Sequence, residues 1–306
     1  MTRYLEIATE LARRIRAGDL AAGAELPAVR SYANELGTTS STVVRAYRHL
    51  ADAAVITVAD RRRARVAGDG PLAAARLLDA DRVFRLAASD DPAMQILLDR
   101  TAPAVVPVGS RGSFHALRAL ARGDADGAAI HLRHHTGGYN GPFATALLRG
   151  KDPHLLHLWR REQGLLVRTD IRSVADLSGR LVARREPGAG TRVLLEQLLI
   201  EAGIAPHTVH GPELDSHLET GLAVAAGIAD AALGLRATAT DLGLHFVPLT
   251  WESYDIVLSG AALGAAQPLL SALRDRETRT AMATLDGYDL TNTGTLERLD
   301  EAAVSA

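Results

Sequence analysis

The chain has 306 residues, 47% hydrophobic and 23% charged, which is enough for two domains with a full core in the larger one. It contains no cysteine, which excludes disulfide frameworks, zinc ribbons and thiol catalysis, and it has no apolar run long enough to cross a membrane. The formal net charge of −2 hides an asymmetry: residues 1–70 carry 11 Arg or Lys against 8 Asp or Glu, and the remainder 23 against 28, so a mildly basic head precedes an acidic body.

The first stretch, MTRYLEIATELARRIRAG, is charged throughout and has no signal-peptide core, so a cytoplasmic location is expected. Tyr4 to Ala17 reads as an amphipathic helix with the stripe Leu5, Ala8, Leu11, Ala12 and Ile15. Gly18 ends it, and a turn leads to Leu26-Pro27. Pro27 suits the first turn of a second helix, in which Val29, Tyr32, Ala33 and Leu36 recur at helical spacing before a left-handed cap at Gly37. Thr38 to Thr42 then offers hydroxyl N-caps for a third helix. That helix is expected to bury Val43, Ala46, Tyr47 and Leu50 and to turn Ser40, Ser41, Val44, Arg45 and Arg48 outward. Small hydroxyl residues at a helix start and arginines on its free face are what a major-groove reader needs. Ala54–Ala59 and Ala64–Ala67 read as two strands around Arg61-Arg62-Arg63, completing a winged helix whose arginine tip can reach the DNA backbone or minor groove.

The pattern RIRAGDL, GAELPAVR, ELGTTSSTVVRAYRHL over residues 1–67 resembles the DNA-binding domain of GntR-family transcriptional regulators. The resemblance implies DNA contacts by Arg30, by Ser40, Ser41 and Thr42 at the start of the recognition helix, by Arg45, and by Arg61, Arg62 and Arg63 of the wing. Ala54 stands where that family usually has a glycine.

Gly68-Asp69-Gly70-Pro71 is a breaker cluster, and Leu72 to Ala80 is expected as a connecting helix within a linker over residues 68–82. Strands then alternate with helices. Val83–Ala87 precedes a helix near Pro92–Arg100, and residues 104–109 precede one at Ser113–Arg122. Strands follow over 127–132, 155–168 and 180–185, a helix opens at GAGTR, and further strands cover 230–236, 244–250 and 254–259. Such alternation argues for parallel sheet with helices on both faces, and for ligands near strand ends and helix N-termini. The Gly-rich helix openings lack a P-loop ending and no GxGxxG follows a strand, so nucleotide fingerprints are absent.

The motifs SDDPAM, VGSRGSFHALRAL, DADGAAIHL, TGGYN, RREQGLLVR, REPGAGTR, DSHLETGLAVAAGIADAALGL and FVPLTWESYDIVLS resemble the periplasmic-binding-protein-like domain fused to some helix-turn-helix regulators. The expected fold is therefore an α+β winged helix-turn-helix domain over 1–67, followed by a two-lobed α/β domain of the type 2 periplasmic-binding-protein-like kind over 83–306. Lobe one is placed at about 83–165 and 245–306 and lobe two at about 166–244, with hinges near Leu165–Val167 and His245–Leu249. The resemblance makes Ser89, Ser110, His131, Asn140, Arg161, Gln163 and Glu252 cleft candidates within the stretches assigned to the first lobe. On the second lobe it adds Arg185, Thr191, Arg192, Ser216 and His217. Glu186 and Ala88 stand where glutamine and glycine are usual.

Three arginines, a histidine and helix N-termini in one cleft point to an anionic effector: a carboxylate, or an oxyanion such as molybdate or tungstate. No metal or cofactor is expected. His131, His134 and His135 lack an HExxH pattern and read as structural or cleft hydrogen-bonding groups. A Ser-His-Asp hydrolase built from Ser110, His131 and Asp90 has no GxSxG elbow behind it. The leading expectation is a dimeric, effector-responsive transcriptional regulator and not an enzyme. The alternatives are a pyridoxal-phosphate aminotransferase-like fusion, for which the single lysine, Lys151 in a turn, is a poor Schiff-base candidate, and a DNA-binding protein whose sensor fold has lost its ligand.

Overall fold

A computed structural model describes residues 3–58, 63–79, 82–110, 112–134, 138–168 and 170–300. Arg61, Arg62, Arg111 and His135, all singled out above, lie outside the described residues. The chain divides into two compact units, Met1–Val83 with Ala261–Gln267, and Phe84–Gly260 with Pro268–Ala306.

The first unit contains α1 (Arg3–Ala17), α2 (Val29–Glu35), α3 (Ser40–Asp52), β1 (Ile56–Thr57), β2 (Arg65–Val66) and α4 (Gly70–Leu78). Helix α1 buries Ile7, Ala8, Leu11, Ala12 and Ile15; Ile7, rather than the half-buried Leu5, completes the stripe. Pro27 does not enter α2, whose N-cap is Ala28. The Pro27 carbonyl instead accepts a 2.7 Å hydrogen bond from the Tyr47 hydroxyl, tying the segment before α2 to the side of α3. Gly37 takes the left-handed conformation with φ +58°. Thr39 caps α3, its hydroxyl accepting from the Thr42 N–H at 3.3 Å. Val43, Ala46, Tyr47 and Leu50 point into one core with Leu11, Ile15, Leu26, Val55 and Val66.

The strands β1 and β2 pair antiparallel, Ile56 with Val66 and Thr57 with Arg65, and are shorter than expected. Ala54 bends the chain just ahead of β1 with φ +57°, in the left-handed region where a Cβ costs about 1–2 kcal/mol. Ala54→Gly removes that strain at the expense of a more flexible unfolded chain. The expected result is a net gain of about 0.5–1 kcal/mol in the stability of this unit, read by urea or thermal unfolding. A loss of stability would show that the Ala54 methyl makes a contact worth more than its strain. Helix α4 begins at Gly70 with Pro71 in its first turn and puts Ala73 and Ala74 into the core of the first unit, so the segment expected as a linker packs as part of that unit.

The second unit runs through β3 (Phe84–Ala88), α5 (Pro92–Thr101), β4 (Val105–Gly109), α6 (Ser113–Arg122), β5 (Gly127–Ile130), α7 (Gly141–Leu147) and β6 (Pro153–Val167). It continues with β7 (Val182–Arg185), α8 (Gly190–Glu201), β8 (Glu213–Leu214), α9 (His217–Ala225), β9 (Ala231–Leu235), α10 (Arg236–Leu242) and β10 (His245–Ser259). The end of the described chain adds α11 (Gln267–Arg274), α12 (Arg276–Met282), β11 (Tyr288–Asp289) and β12 (Leu296–Arg298). The sheet order is β4-β3-β5-β10-β6-β9-β7-β8, with β11 and β12 also on β6.

Two 15-residue strands, β6 and β10, pair antiparallel from His245 opposite Val167 to Ser259 opposite Pro153. The two strands expected over 244–250 and 254–259 are thus one. No turn residue separates them, and register shifts at Pro248/Thr250 and Tyr254/Asp255 absorb the twist. One end of this ribbon pairs with the parallel set β3, β4 and β5 through Asp255–Leu258, and the other with β9 through Gln163–Val167. Each end has its own apolar cluster, one around Leu117, Ile130, Leu132 and Leu155 and the other around Leu165, Leu177, Leu194 and Leu233. The changeover between the two lobes falls at Arg161–Gln163 of β6 and Thr250–Ser253 of β10, a little inside the expected hinge positions.

Candidate functional site

At that changeover the alternation of a strand puts Arg161 and Gln163 on the same face of β6, and both are fully buried. Glu252 on β10 sits opposite Arg161 in the register and is 1% exposed. Its Oε1 accepts from Arg161 Nε and from Gln163 Nε2, both at 2.6 Å, and its Oε2 lies 3.2 Å from Nδ1 of His131, just past the carboxyl end of β5. Arg161 also donates through Nη1 to Asp91 Oδ2 at 2.6 Å, and the Tyr288 hydroxyl donates to the same oxygen at 2.9 Å. Asp91 is itself the N-cap of α5, its other oxygen accepting from the Met94 N–H at 3.0 Å. The ring of Tyr254 lies under the guanidinium at 4.6 Å, and its hydroxyl is 3.3 Å from Ser89 Oγ.

Burial works against charge on each member of this cluster, and the pairing decides the outcome. Burial opposes the Arg161 cation, but the Glu252 and Asp91 carboxylates outweigh it and raise its pKa. Burial pushes the Glu252 carboxyl up, yet Arg161 and His131 overcome this and hold it down to about 2. For His131, burial wins over the attraction of Glu252 and lowers its pKa, so the ring is neutral at physiological pH. His217, at the start of α9, is pushed well below its ordinary value by burial and then by the nearby charges of Arg185 and Arg161.

The second lobe meets the first at this place. Gln163 Nε2 reaches Thr191 Oγ1 at 3.5 Å, the His217 N–H donates to Asp90 Oδ2 at 3.1 Å, and a Cβ on Gly190 would lie 2.5 Å from His131 Nδ1. A Cβ on Gly112 would lie 2.6 Å from the Ala189 Cα. The lobes are therefore closed on one another. Arg161 Nη2, Gln163 Oε1 and His217 Nδ1 are buried without a hydrogen-bond partner among the described residues.

Several expected cleft residues are engaged elsewhere. Asn140 is buried but fully bonded, accepting from the Leu132 N–H and donating to Asp255 Oδ2 and the Ser253 carbonyl, so it pins the ends of β5 and β10. Ser110 donates to the Gly112 carbonyl. Arg192 is engaged by Glu196, four residues on in the same helix, by Glu213 and by the Arg185 carbonyl. Ser216 caps α9 in a capping box with Glu219. Arg185 is buried, and Glu186 occupies its fork at 3.0 and 3.2 Å while the Asp215 carbonyl accepts from Nη2. Asp91, Tyr254 and Tyr288 also belong to the cluster; the sequence offers Asp91 through the SDDPAM strand-to-helix junction and Tyr254 as a ring suited equally to cleft or core, and carries no signal for Tyr288. Ser110, His131 and Asp90 do not form a triad, since each bonds a different partner.

On the first unit, Arg30, Ser40, Ser41 and Arg45 are exposed, as is Arg48, while Thr42 is half-buried and shares the cap of α3. The Arg45 guanidinium lies 4.2 Å over the Tyr4 ring, which holds that long side chain against α1. Arg63 lies 3.6 Å from Glu25, and Arg65 pairs with the same carboxylate.

Comparison with known proteins matches two family models to separate stretches of the chain. The family model described as "PBP superfamily domain" matches residues 95–274, and that described as "Bacterial regulatory proteins, gntR family" matches residues 3–66. The chain is 30% identical over 193 residues to the uncharacterised protein YvgK of Bacillus subtilis, a match covering 60% of this chain and 63% of that protein. It is 28% identical over 113 residues to the HTH-type transcriptional regulator CbbR of Rhodospirillum rubrum, covering 34% and 37%. A third match, 41% identical over 56 residues, is to the HTH-type transcriptional regulator Rv1152 of Mycobacterium tuberculosis and covers 18% and 46%. The chain thus spans less than two thirds of the length of each of these relatives. Among solved structures, the alkanesulfonate-binding protein SsuA from Xanthomonas axonopodis pv. citri, bound to MOPS, is 18% identical with a TM-score of 0.44, covering 66% of this chain and 77% of that one. The GluR0 ligand-binding core from Nostoc punctiforme, in complex with L-glutamate, is 16% identical with a TM-score of 0.46, covering 66% and 99%.

Proposed function

The chain belongs to the PBP superfamily and carries a gntR-family domain at its N-terminus, and from this premise we propose that it is a one-component transcriptional regulator whose two-lobed unit senses a small polar molecule. The observation that carries the sensing half is the buried cluster where the lobes meet, in which three polar atoms on Arg161, Gln163 and His217 lack a partner among the described residues. A structural ion-pair network would be expected to satisfy its own members, because an unmade buried hydrogen bond costs about 1–3 kcal/mol. Atoms left unpaired at a closing surface fit a ligand. We place its action in the cytoplasm and read it as a homodimer, since one winged helix reads only a half-site. Cleft closure and operator affinity would then be linked, each ligand changing the other's affinity by the same factor.

The aminotransferase-like reading finds no support at the site. Lys151, the sole lysine, is exposed in the turn between α7 and β6, outside the buried cluster.

The test begins with selection of bound fragments from a random DNA library, followed by affinity measurement with and without candidate effectors. Arg30→Ala and Arg45→Ala are expected to weaken operator binding by about 10–100-fold each, with folding intact, while a phosphate contact also flattens the salt slope by roughly one unit. Tyr4→Leu is expected to produce a smaller loss in the same direction, because it frees Arg45 without removing it. Unchanged affinity and salt slope in both arginine variants would remove them from the interface.

A further inference from the structure

The charge balance of the cluster limits what the cleft can accept. Arg161 is met by two carboxylates, Asp91 and Glu252, and Arg185 by a third, Glu186. All five side chains are buried or nearly so, and two guanidiniums against three carboxylates leave a surplus of one negative charge. The third arginine of the expected anion site, Arg192, is spent on Glu196 and Glu213 at the surface of the second lobe. The two cleft histidines contribute no positive charge, since burial keeps both neutral.

A bare anion entering this place would bring a second negative charge beside Glu252 and Asp91, and neither carboxylate can swing clear. Glu252 is held by Arg161, Gln163 and His131, and Asp91 by Arg161, Tyr288 and the backbone of α5. The unmet atoms are also of both kinds. Arg161 Nη2 is a cationic donor, Gln163 Oε1 is an acceptor, and a neutral His217 can offer Nδ1 as an acceptor.

We propose that the effector is a zwitterion, a small molecule with a cationic nitrogen beside a carboxylate, such as an α-amino acid, and not an inorganic oxyanion or a simple carboxylate. Its carboxylate is placed against Arg161 Nη2, the one nitrogen of that guanidinium without a partner among the described residues. Its cationic nitrogen is placed against Gln163 Oε1, two residues further along β6, and the surplus charge of Glu252. A zwitterion adds no net charge to the cluster, so it does not deepen the surplus as an anion would, and each of its charged groups faces a protein group of opposite sign. This assignment rests on the sensor reading above and sharpens it.

The experiment is a thermal-unfolding screen of the full chain, with calorimetry on any hit, using four sets of probes at equal concentration. The first holds molybdate, tungstate and sulfate; the second acetate and succinate; the third the twenty amino acids and glycine betaine; the fourth amines without a carboxylate, such as ethanolamine and putrescine. The expected result is a rise of roughly 5–10 °C by at least one zwitterion at about a hundred times its Kd, with no comparable rise in the other sets. Gln163→Leu is expected to weaken that zwitterion by about tenfold or more and to leave the unliganded fold in place. If an oxyanion or simple carboxylate gives the larger rise, the zwitterion assignment fails while the sensor reading stands. If an amine without a carboxylate binds as well as any zwitterion, the role given to Arg161 fails. If no set shifts the transition or the operator affinity, the sensor reading fails and takes the assignment with it.

Discussion

Replacing Arg161 by Met is expected to destabilise the two-lobed unit by about 3–5 kcal/mol, because it leaves two carboxylates buried beside an apolar side chain. Asp91, Glu252 and Arg161 are each at most 1% exposed at the side chain, so water cannot take over the lost partner. In a unit of this size the loss corresponds to a fall of roughly 10 °C in its melting transition, while the transition of the N-terminal unit stays where it was. The pH dependence gives the deficit a signature. In the wild type Glu252 has its pKa depressed to about 2, so the stability it contributes is present above its unfolded pKa, about 4.3, and is lost as pH falls through the range between the two. Without Arg161, burial dominates and raises that pKa, so the folded variant retains a proton at pH values where the unfolded chain, with its pKa of about 4.3, has already released it. The deficit should therefore be larger at pH 8 than at pH 5, where a protonated Glu252 has no charge to bury. Combining Arg161→Met with Glu252→Gln should recover part of the loss. A single-variant loss below about 1 kcal/mol, or one independent of pH, would mean that the cluster is open to solvent.

The N-terminal unit was legible because its signals are local. Hydroxyl caps at Thr38–Thr42, the left-handed Gly37 and the 3.6-residue spacing of Val43, Ala46, Tyr47 and Leu50 act within one or two turns, and α3 forms as they require. Where a local rule had a competitor it misled: Pro27 could have opened α2, but its carbonyl is held by Tyr47 across the helix pair. In the two-lobed unit the strand–helix order was equally local, while the division of β10 into two strands was not, since its continuity depends on pairing with β6 along its whole length. The residues of the site could be chosen, but their charge could not be added up. Glu252 finds Arg161 across 91 positions and Asp91 finds it across 70, pairings that only sheet register and helix capping create. Counting arginines alone points to an anion, whereas the pairs leave the cluster with one surplus negative charge and a single buried, unpartnered guanidinium nitrogen, Arg161 Nη2, among the described residues. Two of these local engagements are readable in the sequence: Glu196 stands four residues after Arg192, and Ser216-His217-Leu218-Glu219 has the form of a capping box.

Gly190→Ala separates closure of the lobes from their folding. Gly190 is the first residue of α8 and has an ordinary backbone conformation, so alanine there introduces no strain within the second lobe and suits a helix better than glycine. The nearest atoms to the added methyl outside its own helix belong to the first lobe: it would lie 2.5 Å from Nδ1 of the His131 ring and 2.9 Å from the His131 carbonyl oxygen. The ring could rotate, but it would leave Glu252, and the backbone carbonyl beside it cannot move without shifting the end of β5. Overpacking of this kind costs about 1–3 kcal/mol, and here the cost falls on the closed arrangement alone. A ligand that binds the closed form then loses the same amount, a fall of about 10–100-fold in effector affinity. Operator affinity without effector should be close to wild type, and the change in operator affinity on adding effector should require correspondingly more of it. Amide hydrogen exchange checks the closure itself before any effector is known, with faster exchange expected at Ser113–Leu117 and Thr191–Leu195, where the lobes meet. Wild-type exchange and wild-type effector affinity in this variant would show that the Gly190–His131 approach is not part of the switch, and would leave closure without a role in sensing.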